Sequence, residues 1–263
     1  MNETTRGYKN TWIGQQTQAE KGSFYNHYIA SHLLPHIGKN VLDIGMGIGN
    51  VTEELISKVE SYTGVDEAAE HMQVAHRRFK KYPFKGYAIS VENPESLKML
   101  NHDDVDTIIS VNCFEHIEDD VKVMSLLCDW ARPGTRFAFL VPAHQLLYGA
   151  LDIQGEHFRR YSKKLMKEKL NRAGFSMEGM RYINFIGAIA WFLIGKSAKN
   201  KKQHVGHQRM SPAWKIMYIL LPLAKYPLML QRKLENIIPM PVGLSLVAWG
   251  RKRNSNDYQM DEA

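Results

Sequence analysis

The stretch VLDIGMGIGN, residues 41–50, decides the fold class of this 263-residue chain. An apolar strand pattern runs directly into a turn that contains three glycines, Gly45, Gly47 and Gly49. Glycine has no Cβ and adopts positive φ angles freely, so the backbone of this turn can come close to a ligand. Ligands of open α/β sheets lie beyond the carboxyl ends of the strands. The stretch therefore predicts a cofactor loop at the end of a first strand.

Strand-like and helix-like segments alternate along the chain on both sides of this loop. The apolar strand patterns lie at residues 40–45, 62–66, 85–90, 105–112, 135–143, 179–185 and 243–252. Amphipathic helical segments separate most of them, which is typical of βαβ units in a parallel sheet. We therefore expect an α/β fold with a doubly wound, Rossmann-like sheet.

The composition and its changes along the chain predict one core with a large insertion. Apolar residues make up 44% and charged residues 23%, as in ordinary globular proteins. We expect the core at residues 23–184 and 242–253, with a helical, basic and apolar insertion at 185–241 between strands six and seven. Residues 1–22 are polar and predict a flexible arm, and residues 254–263 predict a disordered tail.

The positive charge is concentrated in the insertion. The chain has a net charge of +7, and residues 185–241 contain nine Lys or Arg against one acid, Glu235. This predicts a local anionic partner and no nucleic acid. The apolar runs are too short, or too interrupted by Pro222, Lys225 and Pro227, to span a bilayer. Two interpretations stay open: a helical lid or homodimer element, and an interfacial helix at a membrane surface.

Two features of the glycine turn discriminate between cofactors. A dinucleotide fingerprint, G-x-G-x-x-G, requires glycine where Asn50 stands. Asp43 precedes the first glycine by two residues, and its carboxylate would repel a pyrophosphate but suit an ammonium and a sulfonium. Asp66 ends the second strand, where an acid can accept both ribose hydroxyls. The pattern favours S-adenosylmethionine over a nicotinamide dinucleotide, and over a turn that is merely a tight connection.

The segments VLDIGMGIGN, GVDEA, VDTIISVNCFEHIEDD and LLCDWARPGTRFAFLVPA, in this order, resemble the class I S-adenosylmethionine-dependent methyltransferases. The resemblance runs from about residue 40 to residue 142. It implies a seven-stranded sheet whose last strand, GLSLVAWGRK, is antiparallel. Ser90 stands where many relatives have an acid near the adenine amino group, so the backbone of Val91 is the alternative contact. The implied cofactor residues are Asp43, Gly45, Met46, Gly47, Gly49, Asp66, Glu67, Ser90, Val91, Asn112 and Cys113.

Residues 141–175 are similar to a bacterial methyltransferase subgroup with an LxGxxD…GHxRRY motif after strand five. Methyl transfer is an in-line displacement that needs alignment and, for some acceptors, removal of a proton. It requires no metal, and the EHIEDD segment is a poor metal motif, so we expect none. We expect His157 as the general base, with His116 as the other catalytic candidate. The expected acceptor-binding residues are Glu115, His144, Tyr148, Arg160 and Tyr161.

A structural interpretation of these residues stays open beside the catalytic one. Glu115 can cap or pair locally, and His116 can pack beneath the cofactor. The segment EHFRRYS can be the approach to a helix, with Ser162 as its N-cap and Arg160 paired with Asp152.

We expect a methyltransferase that acts on a small-molecule, sugar or lipid-linked acceptor, as in natural product or glycan biosynthesis. The alternatives are a nucleic-acid methyltransferase and a non-catalytic binding module. A nicotinamide oxidoreductase is opposed by Asp43 and Asn50. The N-terminus has no apolar core of signal-peptide length, and Cys113 and Cys128 predict reduced thiols. We therefore expect a cytoplasmic location, with peripheral membrane contact as an addition.

Overall fold

The computed structural model of the chain describes residues 23–197, 223, 225–235 and 237–253. Seven strands within these residues form one sheet in the order β3-β2-β1-β4-β5-β7-β6. Strands β1 to β5 are parallel, and β7 is antiparallel to both β5 and β6. The predicted fold class is confirmed. The strands are β1 (Asn40–Ile44), β2 (Ser61–Asp66), β3 (Phe84–Ala88), β4 (Thr107–Val111), β5 (Arg136–Pro142), β6 (Phe175–Ile183) and β7 (Ser245–Lys252).

Helices connect the strands and cover both faces of the sheet. They are α1 (Ser23–Leu33), α2 (Thr52–Leu55), α3 (Ala69–Phe79), α4 (Pro94–Leu97), α5 (Asp120–Trp130), α6 (Ala150–Gln154), α7 (Lys163–Arg172), α8 (Phe185–Ser197) and α9 (Lys225–Glu235). The helix expected after the glycine turn is shorter than its sequence pattern, because a 3-10 turn at Ile56–Lys58 tightens its end before β2 begins.

Alternation of side chains along the buried strands produces the two halves of the core. In β1, Leu42 and Ile44 join one apolar cluster, and Val41 joins the cluster on the opposite face. The strand order reverses between β1 and β4, and at such a point the connections leave the sheet in opposite directions. The residues after β1, β2, β4 and β5 therefore meet along one edge.

The predicted insertion at 185–241 is described in part, as helices α8 and α9 and the non-helical stretch 237–241, and α9 is anchored to the core. Helix α9 packs on α1, and Glu235 at its end accepts hydrogen bonds from the Tyr28 hydroxyl (2.7 Å) and the backbone N–H of Asn184 (2.9 Å). The expected arm at 1–22, the tail at 254–263 and most of 198–224 lie outside the described residues. Among the helices that the structure describes, none is long and apolar enough to cross a membrane.

Candidate active site

The turn after β1, which we call the glycine loop (residues 45–49), has the backbone that its sequence predicts. Gly45, Gly47 and Gly49 have φ angles of 70°, 58° and 80°, a region that residues with a Cβ rarely adopt. The N–H groups of Gly45 and Met46 both donate to the Val65 carbonyl, at 2.8 and 3.1 Å. These bonds hold the loop against the end of β2.

Close packing leaves no space for a larger residue at Gly45 or at Gly49. A Cβ on Gly45 would lie 2.4 Å from Cys113 Sγ, and one on Gly49 would lie 2.4 Å from Phe79 Cε2. The side chain of Met46 packs over Gly64 of β2, where an added Cβ would lie 1.8 Å from Met46 Sδ. Met46 therefore presents its backbone, and not its thioether, to the edge of the sheet.

Asp43 is a buried carboxylate at the base of the loop, 3% exposed. Its Oδ2 accepts hydrogen bonds from the Tyr62 hydroxyl (2.6 Å) and the Thr52 hydroxyl (3.1 Å). Burial raises the pKa of Asp43 to about 7, although both hydrogen bonds oppose that shift. A cationic ligand beside this carboxylate would restore its ionised form. Sequence reasoning missed Tyr62 and Thr52, whose contacts depend on how α2 and β2 pack.

Asp66, at the end of β2, is surrounded by donors. Its Oδ2 accepts from the backbone N–H of Gly47 at 2.9 Å, and its Oδ1 accepts from Ala68 N (3.0 Å) and His71 Nδ1 (2.9 Å). The carboxylate thus lies directly against the glycine loop, where ribose hydroxyls are expected. Sequence reasoning missed His71, although its position in the first turn of the helix that follows Asp66 was a usable signal.

The other expected cofactor residues lie around the same edge. Cys113 is half-buried against Gly45, and burial raises the pKa of its thiol. Asn112 is exposed and has a φ of 50°, which turns the chain sharply after β4. Val91 is buried, Ser90 is half-buried and Glu67 is exposed.

The segments after β4 and β5 bring together three side chains that we call the Glu–His–His cluster: Glu115, His116 and His157. Their potential ligand atoms all lie within 4.8 Å of one another. The two imidazole rings meet edge to face, with centroids 4.7 Å apart. The backbone N–H of Phe158 donates to the Glu115 carbonyl at 2.7 Å, which joins the two segments.

Glu115 is the most unusual member of the cluster. It is 0% exposed, and neither carboxylate oxygen has a hydrogen-bond partner among the described residues. Burial raises the pKa of Glu115 to about 7, and the nearby His157 opposes that shift. Burial and the nearby His157 lower the pKa of His116 to about 4, so His116 is neutral at pH 7. These two side chains can therefore accept a ligand or a proton.

Asp152 orients His157. Its Oδ1 accepts from His157 Nδ1 at 2.9 Å and from Arg160 Nε at 2.7 Å. Although burial acts to raise it, the hydrogen bond from His157 and the charge of Arg160 hold the pKa of Asp152 below its usual value. The imidazole thereby keeps Nε2 for another partner. Sequence reasoning placed Asp152 in the loop that covers the acceptor and paired it with Arg160, but did not pair it with His157.

The remaining expected acceptor residues divide into two groups. Tyr148 stays beside the cluster, where its hydroxyl donates to the His157 carbonyl at 2.7 Å. Arg160 is 2% exposed and pairs with Asp152, as the structural interpretation requires.

Tyr161 and His144 form the second group. Tyr161 lies in the core and donates to Asp120 at 2.7 Å, and the His144 ring packs on Tyr182 with centroids 4.3 Å apart. The structure brings neither Tyr161 nor His144 into the cluster.

Ser162 begins α7 as the second half of the structural interpretation requires. Its hydroxyl accepts from the backbone N–H of Leu165 at 3.1 Å, which caps the helix. The segment EHFRRYS thus has a structural and a site role. Arg160 and Ser162 stabilise the loop and the start of α7, while His157 belongs to the Glu–His–His cluster.

A cleft of about 240 Å³ lies at the opposite edge of the sheet, away from these residues. Its walls include an ion pair between Arg251 and Glu178 and stacked rings of His36 and Trp249. Because these side chains already pair with one another, the cleft offers less chemistry than the glycine loop and the cluster.

Comparisons with known proteins agree with this geometry. A family model described as "Methyltransferase domain" matches residues 22–178. An uncharacterized methyltransferase of Bacillus cereus is 28% identical over 87 residues, which are 33% of this chain and 38% of that protein. A second Bacillus cereus relative is 30% identical over 89 residues. The chain thus spans less than half the length of the curated relatives that it matches.

Solved structures share the fold. One is a chain of the complex between the Haloferax volcanii Trm112 methyltransferase activator and a methyltransferase, with a TM-score of 0.58, 15% identity and coverage of 92% of this chain and 96% of that chain. Another is the YcgJ protein of Bacillus subtilis, with a TM-score of 0.55, 14% identity and coverage of 88% and 99%. The geranyl diphosphate C-methyltransferase of Streptomyces coelicolor has a TM-score of 0.54, 9% identity and coverage of 85% and 77%.

At these identities the solved structures establish the architecture alone. The family model, in contrast, covers more than half of the chain and includes the glycine loop, Asp66 and the Glu–His–His cluster. The chain therefore belongs to the methyltransferase-domain family, on the fold of the class I S-adenosylmethionine-dependent methyltransferases.

Proposed function

We propose that the protein transfers a methyl group from S-adenosylmethionine to a small-molecule, sugar or lipid-linked acceptor, and that a lipid-linked acceptor fits best. The observation that carries the proposal is the position of the Glu–His–His cluster. It follows β4 and β5 on the edge of the sheet that also carries the glycine loop, and Cys113, two residues before Glu115, packs on Gly45.

The residues present fit the cofactor. The positive φ angles of the glycine loop let its backbone lie close to a ligand, while the N–H groups of Gly45, Met46 and Gly47 hold the loop against the end of β2. Asp66 lies where it can accept the ribose hydroxyls, and buried Asp43 favours the positively charged end. When bound, the cofactor supplies an already activated methyl group on sulfur. The chain mainly aligns the acceptor and excludes water.

His157 is the proposed general base. Its Nδ1 donates to Asp152, so Nε2 is the atom that accepts a proton from an acceptor hydroxyl or amine. The bound cofactor would supply its methyl carbon to the acceptor atom, and its sulfur would keep the electron pair of the carbon–sulfur bond. The acceptor proton moves to Nε2. His116 and Tyr148 fix the position of the imidazole through ring and backbone contacts.

The position and the apolar surface of helix α8 favour an apolar acceptor. The Trp191 ring packs against Arg160, whose guanidinium carbon lies 4.6 Å from the ring centroid, and Trp191 Nε1 donates to the Leu147 carbonyl at 3.2 Å. The helix therefore forms a wall beside the loop that carries His157. Its outer face exposes Ile189, Phe192 and other large apolar residues. This arrangement favours peripheral contact with a membrane that holds the acceptor.

A labelling experiment tests the proposal. The protein is incubated with methyl-labelled S-adenosylmethionine and a total extract of bacterial cells, which is then separated into lipid, small polar, RNA and protein fractions. We expect label in the lipid fraction, and its loss in Asp43→Ala and His157→Ala. Label in the small polar fraction would retain a methyltransferase but reject the lipid-linked acceptor. Label in RNA or protein, or cofactor binding without any transfer, would contradict the proposed function.

A further inference from the structure

The Glu–His–His cluster has the donor set of a transition-metal site. Two imidazole nitrogens and one carboxylate oxygen are the protein ligands of several catalytic zinc sites and of non-haem iron sites. The three residues come from two segments, and their ligand atoms converge within 4.8 Å. We propose that Glu115, His116 and His157 bind one divalent transition-metal cation of the Zn²⁺ class.

The buried carboxylate of Glu115 is the independent observation that points to a ligand. The side chain is 0% exposed, and both oxygens lack a hydrogen-bond partner within the described residues. Nearly all buried polar groups in folded proteins are hydrogen bonded, and a buried charge is normally paired or coordinates a metal. A cation between Glu115 and the two imidazoles would satisfy these oxygens.

The surroundings of His157 match the support that metal-bound histidines receive. Metal-ligating histidines usually donate their second ring nitrogen to a carboxylate, which fixes the ring and its tautomer. Here His157 Nδ1 donates to Asp152 at 2.9 Å. Asp152 is itself fixed by Arg160 Nε (2.7 Å) and by the backbone N–H of Gly149 (3.0 Å). This arrangement aims Nε2 at the cluster.

Distances and charge both permit the ion. Ligands of a tetrahedral Zn²⁺ with bonds of about 2.0 Å lie about 3.3 Å apart. The present separations of up to 4.8 Å must shorten by at most about 1.5 Å, which side-chain rotations provide. Two carboxylates, those of Glu115 and Asp152, lie near one guanidinium, that of Arg160, so the local charge favours a cation. The guanidinium bonds to Asp152 and to the Ala143 carbonyl. With three protein ligands, the fourth position stays open.

This site departs from the expectation of no metal. Glu115 and His116 are neighbours in the sequence, and that spacing alone does not predict a metal site. The third ligand, His157, comes from the segment after β5. The inference goes beyond the proposed function, since Nε2 of His157 cannot hold a cation and accept a proton at the same time. Metal-bound and metal-free protein would then differ in whether that base is available.

Titration calorimetry of the tag-free chain with Zn²⁺ tests the site, and Glu115→Gln and His157→Ala are the variants. His27→Ala is the matched control, because it removes an exposed histidine that also contacts a carboxylate, that of Glu54. We expect one cation per chain whose affinity falls on the order of 100-fold or more in both variants and is unchanged in the control. Unchanged binding in Glu115→Gln and His157→Ala, or no Zn²⁺ binding by the wild type, would overturn the inference.

Co²⁺ spectroscopy of the unaltered protein keeps the test decisive if a variant fails to fold. We expect intense visible bands of four- or five-coordinate cobalt, which Zn²⁺ abolishes and Mg²⁺ leaves unchanged, since Mg²⁺ prefers oxygen ligands. The weak spectrum of the six-coordinate aqueous ion would overturn the inference. Neither measurement uses acceptor or cofactor. A failure of metal binding therefore leaves methyl transfer standing, and a failure of methyl transfer leaves the metal site standing.

Discussion

The glycine loop and the Glu–His–His cluster lie on the same edge of the sheet but are built in different ways. The loop is made by backbone geometry within one contiguous stretch, and its shape is held by bonds to Val65 and Asp66. The cluster is made by side chains from two separate segments. Its geometry depends on Asp152 and on the contact between Glu115 and Phe158.

The two buried carboxylates show what this difference means. Burial raises the pKa of both Asp43 and Glu115 to about 7. Asp43 accepts hydrogen bonds from Tyr62 and Thr52, whereas Glu115 has no side-chain partner among the described residues. The proposed cofactor side is therefore formed before any ligand arrives. The proposed acceptor side contains a carboxylate that still lacks a hydrogen-bond partner among the described residues.

The largest expected effect separates catalysis from cofactor binding. Replacing the proposed base by His157→Ala should lower methyl transfer about 100- to 10,000-fold, the usual contribution of a general base. Affinity for S-adenosylhomocysteine should stay within about twofold, because the glycine loop is untouched. Turnover with the labelled acceptor fraction and calorimetry measure the two quantities. A rate of methyl transfer within about threefold of wild type would show that His157 is not the general base. His27→Ala is the control, because it removes a histidine on the surface.

The next effect concerns the glycine loop. Gly45→Ala places a Cβ at a φ of 70° and 2.4 Å from Cys113 Sγ. A residue with a Cβ costs about 1–2 kcal/mol in this conformation even without the clash. We expect S-adenosylhomocysteine affinity to fall about 10- to 100-fold. Gly149→Ala is the matched control, since the nearest atom to its added Cβ is 4.0 Å away. Equal affinities in the two variants would contradict the claim that the cofactor needs glycine at position 45.

The third effect is a pH dependence of cofactor affinity. Asp43 has a pKa of about 7 in the free protein, and a positively charged cofactor favours its ionised form. Binding below pH 7 must release this proton, so affinity should fall by about tenfold per pH unit from 7 towards 5. Calorimetry in buffers of different ionisation enthalpy should measure release of about one proton at pH 6. Asp43→Asn should bind weakly and without this dependence.

The same shift affects the stability of the free protein with the opposite sign. The folded-state pKa of Asp43 lies above its ordinary value of 3.8. Its contribution to stability is therefore complete below pH 4 and is lost as pH rises through 7. Denaturant midpoints of wild type should fall over this range relative to those of Asp43→Asn. Parallel curves for the two proteins would show that Asp43 is not perturbed.

The smallest effect sharpens the role of Asp66. His71→Asn removes the ring that donates to Asp66 Oδ1 at 2.9 Å. We expect S-adenosylhomocysteine to bind about 3- to 10-fold more weakly, the effect of one ordinary hydrogen bond, because the N–H groups of Gly47 and Ala68 still hold Asp66. Its analogue without ribose hydroxyls should lose less. His76→Asn, on the same helix, is the control. Equal losses for both ligands would indicate a structural role only.

The sequence was sufficient for the sheet and for the loop, because both depend on local patterns. The alternation of apolar segments located the strands, and three glycines after Asp43 located the turn. The charge and apolar content of residues 185–241 predicted an insertion, but the packing of Trp191 on Arg160 could not be predicted, since it joins distant segments. The His157–Asp152 contact was also missed. Asp152 could pair with either neighbour, and only the fold shows that it pairs with both.

The most direct test of the central claim is calorimetric titration of the protein with S-adenosylhomocysteine, with NAD⁺ as the competing dinucleotide. We predict one site per chain, with a dissociation constant on the order of micromolar, which corresponds to about −8 kcal/mol. We predict no heat of binding for NAD⁺, because Asp43 and Asn50 do not suit a pyrophosphate. Binding of NAD⁺ in preference, or no binding of S-adenosylhomocysteine at millimolar concentration, would contradict the account.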